Sequence, residues 1–162
     1  MASIATFCNS NAVSAVQIEE ITAGLVVHLD PAILRSIPGC ATNASIEGDV
    51  DRSVRGNHYF LILDVDEVDG AALAVPLFSN ISAGRIGLNE TLKRGPARAW
   101  IGRPSSFSPW QHWWIPLNHI VLASSVDDTS VGARRTYAKG NLEALQSVID
   151  WKDKNRCEWR GV

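Results

Sequence analysis

The sequence predicts a small, mainly β fold closed by one C-terminal helix, and three observations predict it. Short apolar runs bounded by turn residues recur at 25–29, 58–63 and 71–78. Runs of that length, rich in branched and aromatic side chains, read as strands covered on both faces. Between the last two lies Asp69-Gly70, a strong hairpin signal. The clearest helical pattern comes at the far end, where Asn141 can cap and Leu142, Leu145, Val148 and Ile149 share a face. Several strands with one terminal helix imply a strongly curved, mostly antiparallel sheet or partial barrel.

Taken in order, residues 1–17 form an N-terminal tail rich in Ser, Ala and Asn, 18–151 the domain, and 152–162 a charged C-terminal tail. Gly24 precedes the first strand and Asp30-Pro31 stops it. Residues 32–56, with Pro38-Gly39, Asn43, Gly48 and Gly56, read as a long loop, and loops of that length tend to be functional. In the hairpin, a turn closed by Val65 and Gly70 places His58 opposite Leu77. Ser79 then falls diagonally on the face of His58, roughly 7–8 Å away. The stretch 81–104 is broken by Gly84, Gly87, Gly95 and Pro96 and ends in a short strand at 97–101. A Trp-rich segment, 106–116, leads to a further strand at 119–123, a turn at 124–129, and the helix.

At 162 residues, 46% hydrophobic and 20% charged, the chain has the composition of one ordinary globular domain. No apolar run approaches the roughly 20 residues that span a bilayer. No basic residue precedes Arg35, so the charged start of a secretory or transit signal is missing. Cys8, Cys40 and Cys157 are too few and too far apart for a disulfide framework or zinc site, and point to a reducing cytoplasm. Charge is divided unevenly: residues 1–80 hold three Arg against ten Asp and Glu, whereas 81–162 hold twelve Lys and Arg against seven acids. Arg85, Lys93, Arg94, Arg98 and Arg103, with Glu90 as the only acid among them, make the footprint expected for a polyanion such as RNA.

The candidate chemistry centres on His58 and Ser79. A histidine can give or take a proton near neutrality, and a serine hydroxyl can donate to a phosphate oxygen. Arg55, three residues before His58, offers positive charge. His28, inside an apolar strand, reads as a core histidine. His112 and His119 have no Cys or acid at ligand spacing, so neither a metal nor another cofactor is expected. Asp64, Asp66, Glu67 and Asp69 lack the closing Glu of a calcium loop and read as an acidic hairpin tip. Trp110, Trp113 and Trp114 suit packing and a partner interface better than base stacking. No Walker loop, Gly-x-Ser-x-Gly elbow or His-Glu-x-x-His helix occurs.

The order of Gly24-Leu-Val-Val-His-Leu-Asp-Pro31, His58-Tyr-Phe-Leu-Ile-Leu63, Val75-Pro-Leu-Phe-Ser79 and Asn141-Leu-Glu-Ala-Leu-Gln-Ser-Val-Ile149 resembles the PemK/MazF family of toxin ribonucleases, over roughly residues 20–150. The family's Arg-Pro pair is replaced here by His58-Tyr59. The resemblance implies an SH3-like barrel and metal-independent cleavage of single-stranded RNA by its own 2′-hydroxyl. It also implies a cytoplasmic homodimer neutralised by a small acidic antitoxin. On that template His58 and Ser79 take the catalytic positions, with Arg55 as charge stabiliser. Two other readings fit the same sequence: a non-catalytic SH3-like binding module, and a phage or plasmid inhibitor that decoys a host nuclease.

Overall fold

The computed structural model describes residues 16–124, 135–138, 143, 145, 146, 149 and 159–162. Strand β1 (Leu25–Leu29) is followed by helix α1 (Pro31–Ser36) and the short strands β2 (Ala41–Thr42), β3 (Ile46–Glu47) and β4 (Val50–Asp51). The hairpin β5 (His58–Asp66) and β6 (Ala71–Phe78) comes next, then β7 (Ile86–Gly87) and β8 (Lys93–Arg94). Helix α2 (Arg98–Gly102), β9 (Ser106–Phe107), β10 (Trp113–Pro116), α3 (Leu117–Ala123), β11 (Arg135–Tyr137) and β12 (Arg160–Gly161) complete the described elements.

Among the described residues all strand pairs are antiparallel. The main sheet has the order β12-β2-β10-β6-β5-β1-β11-β8, with β7 and β9 off this path, and β3 pairs β4 separately. Among the described residues the path is open, so the mainly β architecture is present and closure into a barrel is not seen.

The centre of the sheet is buried on both faces, which is why 60–63 and 71–77 read as unbroken apolar runs. Alternation sends Phe60 and Ile62 into one cluster, with Leu29, Leu34, Trp113 and Ile120. Leu61 and Leu63 enter another, with Val75, Leu77, Trp100 and Phe107. β6 serves two neighbours on one edge: Ala71–Ala74 face β10, and Leu77 and Phe78 face β9. Pro76 falls between them, where a residue without an N–H costs the sheet least.

Gly24 sets the entry to β1. Its φ is +92°, its N–H donates to the Ile62 carbonyl at 2.8 Å, and its own carbonyl accepts from Tyr137 N at 2.7 Å. A Cβ there would lie 2.6 Å from the Tyr137 carbonyl oxygen, so only glycine fits.

Several sequence expectations need correction. Asp30-Pro31 ends β1 but also starts α1: Asp30 Oδ1 accepts from Ala32 N at 2.8 Å, with proline in the first turn. The stretch 32–56 is therefore a helix and three short strands rather than one long loop. The strand expected at 97–101 is α2, and the one expected at 119–123 belongs to α3. In α3, His119, Ile120 and Ala123 are buried while Asn118 and Leu122 are exposed, a helical spacing that an apolar run this short conceals. Residues 143, 145, 146 and 149 are helical and Leu145 is buried; Asn141, Leu142 and Val148 lie outside the described residues. Within the stretch read as a tail, Arg160 and Gly161 join the sheet against β2.

Candidate functional site

The expected register of the hairpin is wrong by one residue. A four-residue turn closes between Asp66 and Ala71, and a bulge between Ile62 and Asp64 then shifts the pairing, so that Tyr59 faces Leu77. His58 consequently comes level with Phe78, the two rings packing edge to face with centroids 5.1 Å apart. Strand alternation puts Ser79 on the other row, that of Leu77 and Tyr59. Across the next strand pair, His28 faces Tyr59. The histidine on the row that leads to Ser79 is thus His28.

Both rows nevertheless contribute to one cleft, because it opens at the strand ends. The cleft encloses about 360 Å³ and is lined by His28, Asn57, His58, Tyr59, Leu77, Phe78, Ser79, Asn80, Ala99, Trp100, Arg103, Pro104 and Ser105. No Asp or Glu is among these residues. Among the described residues, two imidazoles, one guanidinium and several hydroxyl and amide groups therefore meet without a carboxylate, which favours an anionic ligand.

His58 is half-buried, and its Nδ1 lies 2.6 Å from the Gly56 carbonyl oxygen. A carbonyl can only accept, so Nδ1 carries the proton and Nε2 of the neutral ring presents a lone pair. His28 is half-buried rather than sealed in the core, its ring 4.8 Å from that of Tyr59. The guanidinium of Arg135 lies over the same Tyr59 ring at 4.6 Å. Neither His28 nor Arg135 stood out in the sequence as a site residue. Their only signal is a polar side chain inside a strand, which becomes informative once the register is known.

The far wall of the cleft is held by Lys93. Its side chain is fully buried, and Nζ donates to the carbonyls of Trp100 (3.1 Å) and Arg103 (2.6 Å) and to Ser105 Oγ (2.8 Å). Nζ also pairs with Glu90 Oε2 at 2.6 Å and sits 4.3 Å from the Trp100 ring centroid. Lys93 is therefore spent inside the protein and cannot contact RNA, which corrects its assignment to the basic surface.

The other basic residues divide. Arg103 is exposed and lines the cleft. Arg98 is exposed on α2. Arg94 is exposed, its Nη1 donating to the carbonyls of Thr91 and Lys93 at 2.6 and 2.7 Å. Arg85 is half-buried over the Phe78 ring. Arg55 is exposed but does not line the cleft. The tryptophans divide too. Trp110 is exposed and Trp114 half-buried, but Trp113 is wholly buried against Phe60 and cannot form an interface.

Elsewhere the histidines are structural. His112 is fully buried, and its backbone N–H donates to Asn43 Oδ1 at 2.6 Å. His119 lies 3.4 Å from Cys40 Sγ, and burial pushes that thiol up to about 11, which keeps it protonated and unreactive near neutrality. Among the described residues no group of three His, Cys, Asp or Glu is placed to hold a metal, and no helix is long and apolar enough to cross a membrane. Set against family models, curated proteins and solved structures, the chain matches none.

Proposed function

We propose that this protein binds single-stranded RNA in the cleft at the ends of β1, β5 and β6 and cleaves it there, as a toxin-type endoribonuclease would. The observation that carries the reading is the convergence of His28, His58, Ser79 and Arg103 on one cleft without a carboxylate. In the proposed step, Nε2 of His58 takes the proton of a ribose 2′-hydroxyl. The 2′-oxygen bonds to the adjacent phosphorus while the bond to the 5′-oxygen breaks. Protonated His28 gives its proton to that leaving oxygen, so the products are a 2′,3′-cyclic phosphate and a free 5′-hydroxyl. Ser79 and Arg103 hold the non-bridging oxygens, where negative charge accumulates. Arg103 takes the part the sequence assigned to Arg55, and His28 joins the pair expected from the hairpin alone.

An SH3-like barrel, a PemK/MazF relationship, a homodimer and an antitoxin partner belong to this proposal as its wider frame. The antiparallel sheet, with the cleft at the ends of its central strands, is what supports it. A second reading, a binding module without catalysis, draws on the placement of His58 and Ser79 on alternate rows of the hairpin.

One assay separates them. Labelled RNA incubated with the protein in EDTA gives 2′,3′-cyclic phosphate ends if the cleft is catalytic. RNA that is bound and left intact assigns the chain to the binding module, and RNA that is not bound at all removes both.

A further inference from the structure

A second cleft, of about 610 Å³, is joined to the first through Arg85, which lines it and contacts Phe78 and Asn80 of the first. Its lining includes Trp110, Arg85, Arg52, Gln111 and Ser108, with Glu47 as the only carboxylate among the described residues. Glu47 is already joined to Arg52 in an ion pair, so among the described lining residues no acid offsets the charge of Arg85.

The wall between the clefts is one bonded cluster. The Arg85 guanidinium sits 3.6 Å from the Phe78 ring centroid, and its Nη1 donates to Asn80 Oδ1 at 2.6 Å. Phe78 and Asn80 line the first cleft and Arg85 the second. On the other side of this wall, His58 packs its ring edge to face with Phe78. Aromatic and cationic side chains are present along both clefts: Tyr59 and Arg103 line the first, Trp110 and Arg85 the second, and Phe78 and Arg85 stack where the two meet. Trp110 leaves 44% of its surface exposed. Exposed ring surface and cations distributed along adjoining clefts suit a strand with a negative backbone and flat, unpaired bases.

We infer that the second cleft is a continuation of the first, in which Trp110 stacks on a base lying several nucleotides from the bond that is cut. This rests on the RNA reading of the first cleft and extends it to a substrate long enough to cross the Phe78–Arg85 wall. A mononucleotide or dinucleotide would be held poorly, because it reaches only one of the two clefts.

The test uses fluorescein-labelled 2′-O-methyl oligouridylates, which cannot be cleaved because the attacking hydroxyl is blocked. Anisotropy titrations compare a trinucleotide with a heptanucleotide. In the wild-type protein the longer strand binds more tightly. Trp110→Ala weakens it about fivefold or more, Arg85→Met weakens it as well, and Trp110→Phe restores most of the loss. The trinucleotide is indifferent to Trp110→Ala and weakened by Arg103→Met. Equal binding of both lengths, with Arg103→Met still weakening them, would overturn the second cleft and leave the first standing. A length gain that survives Trp110→Ala, and that oligoglutamate competes away equally well, reads charge alone and overturns the stacking role. No binding by either strand overturns the RNA reading itself, and the extension with it.

Discussion

His28 faces Tyr59 across β1 and β5, and their rings lie 4.8 Å apart beside the row that leads through Leu77 to Ser79. A histidine from the first strand therefore shares its side of the sheet with the hydroxyl at the end of the hairpin, and His58 meets the same cleft from the neighbouring row. Removing either imidazole tests whether both move protons. His28→Ala and His58→Ala are each expected to lower the cleavage rate about 10²- to 10⁴-fold while oligonucleotide affinity changes little. Single-turnover kinetics with a titration of 2′-O-methyl RNA would check this. Equal losses of rate and affinity would mean that the histidines only bind.

Lys93 is a positioning residue for the cleft. Its ammonium ties Trp100, Arg103 and Ser105 to Glu90, and the Ser105 N–H donates to the other Glu90 oxygen at 3.0 Å. Lys93→Met keeps the chain length but leaves two carbonyls without this donor and Glu90 without this cation. Because Glu90 remains 42% exposed, water compensates part of the loss. The expected destabilisation is about 2–3 kcal/mol, read as a lowered urea midpoint. The 98–105 wall should also loosen, which amide exchange at Trp100 and Arg103 would report.

Asp51 links stability to acid. Burial by itself would raise its carboxyl, but hydrogen bonds from Ser53 and Arg160 outweigh this and hold it below the usual carboxylate range. Arg160 Nη2 lies 2.6 Å from Asp51 Oδ1, which fastens β12 near the hairpin of β3 and β4. A carboxyl depressed in the folded state contributes stability fully above its unfolded value of about 3.9. That contribution is lost as pH falls through the lower, folded value. Wild type should therefore be more stable than Asp51→Asn at pH 6, and the difference should shrink steadily below about pH 4. A gap in urea midpoint that stays constant into strong acid would contradict the ion-pair assignment.

How much could be read from the residues depended on which interaction decides each element. The β5–β6 hairpin was legible because its apolar runs are covered on both faces and its turn is short. The bulge between Ile62 and Asp64 was not, since it arises from how two paired strands accommodate an extra residue, and neither strand alone announces it. Pairing continued without it from Asp66 and Ala71 would set His58 opposite Ser79; the bulge sets His58 level with Phe78 instead and leaves His28 on the row that leads to Ser79. Lys93 misled for a similar reason. A lysine in a basic stretch reads as solvated, and only the fold shows four oxygen partners gathered around its Nζ. Helices α2 and α3 were missed because five to seven residues are too few for their periodicity to stand out.

Gly24 offers the sharpest test of the sheet itself. Its backbone bridges Ile62 on β5 and Tyr137 on β11, so it fixes the strands on both sides of β1 at one point. Gly24→Ala brings two penalties together: a φ of +92° that L-residues rarely adopt, and a Cβ placed 2.6 Å from the Tyr137 carbonyl oxygen. The backbone term alone is of order 1–3 kcal/mol, and the clash can be relieved only by moving β11 away. The expected result is a clear loss in urea midpoint together with faster amide exchange at Tyr137, whose N–H donates to the Gly24 carbonyl. Because β11 also carries Arg135 over Tyr59, the same substitution should weaken oligonucleotide binding in the cleft even where the protein remains folded. An alanine variant as stable as wild type, with Tyr137 still protected, would mean that β1 enters the sheet by a different path.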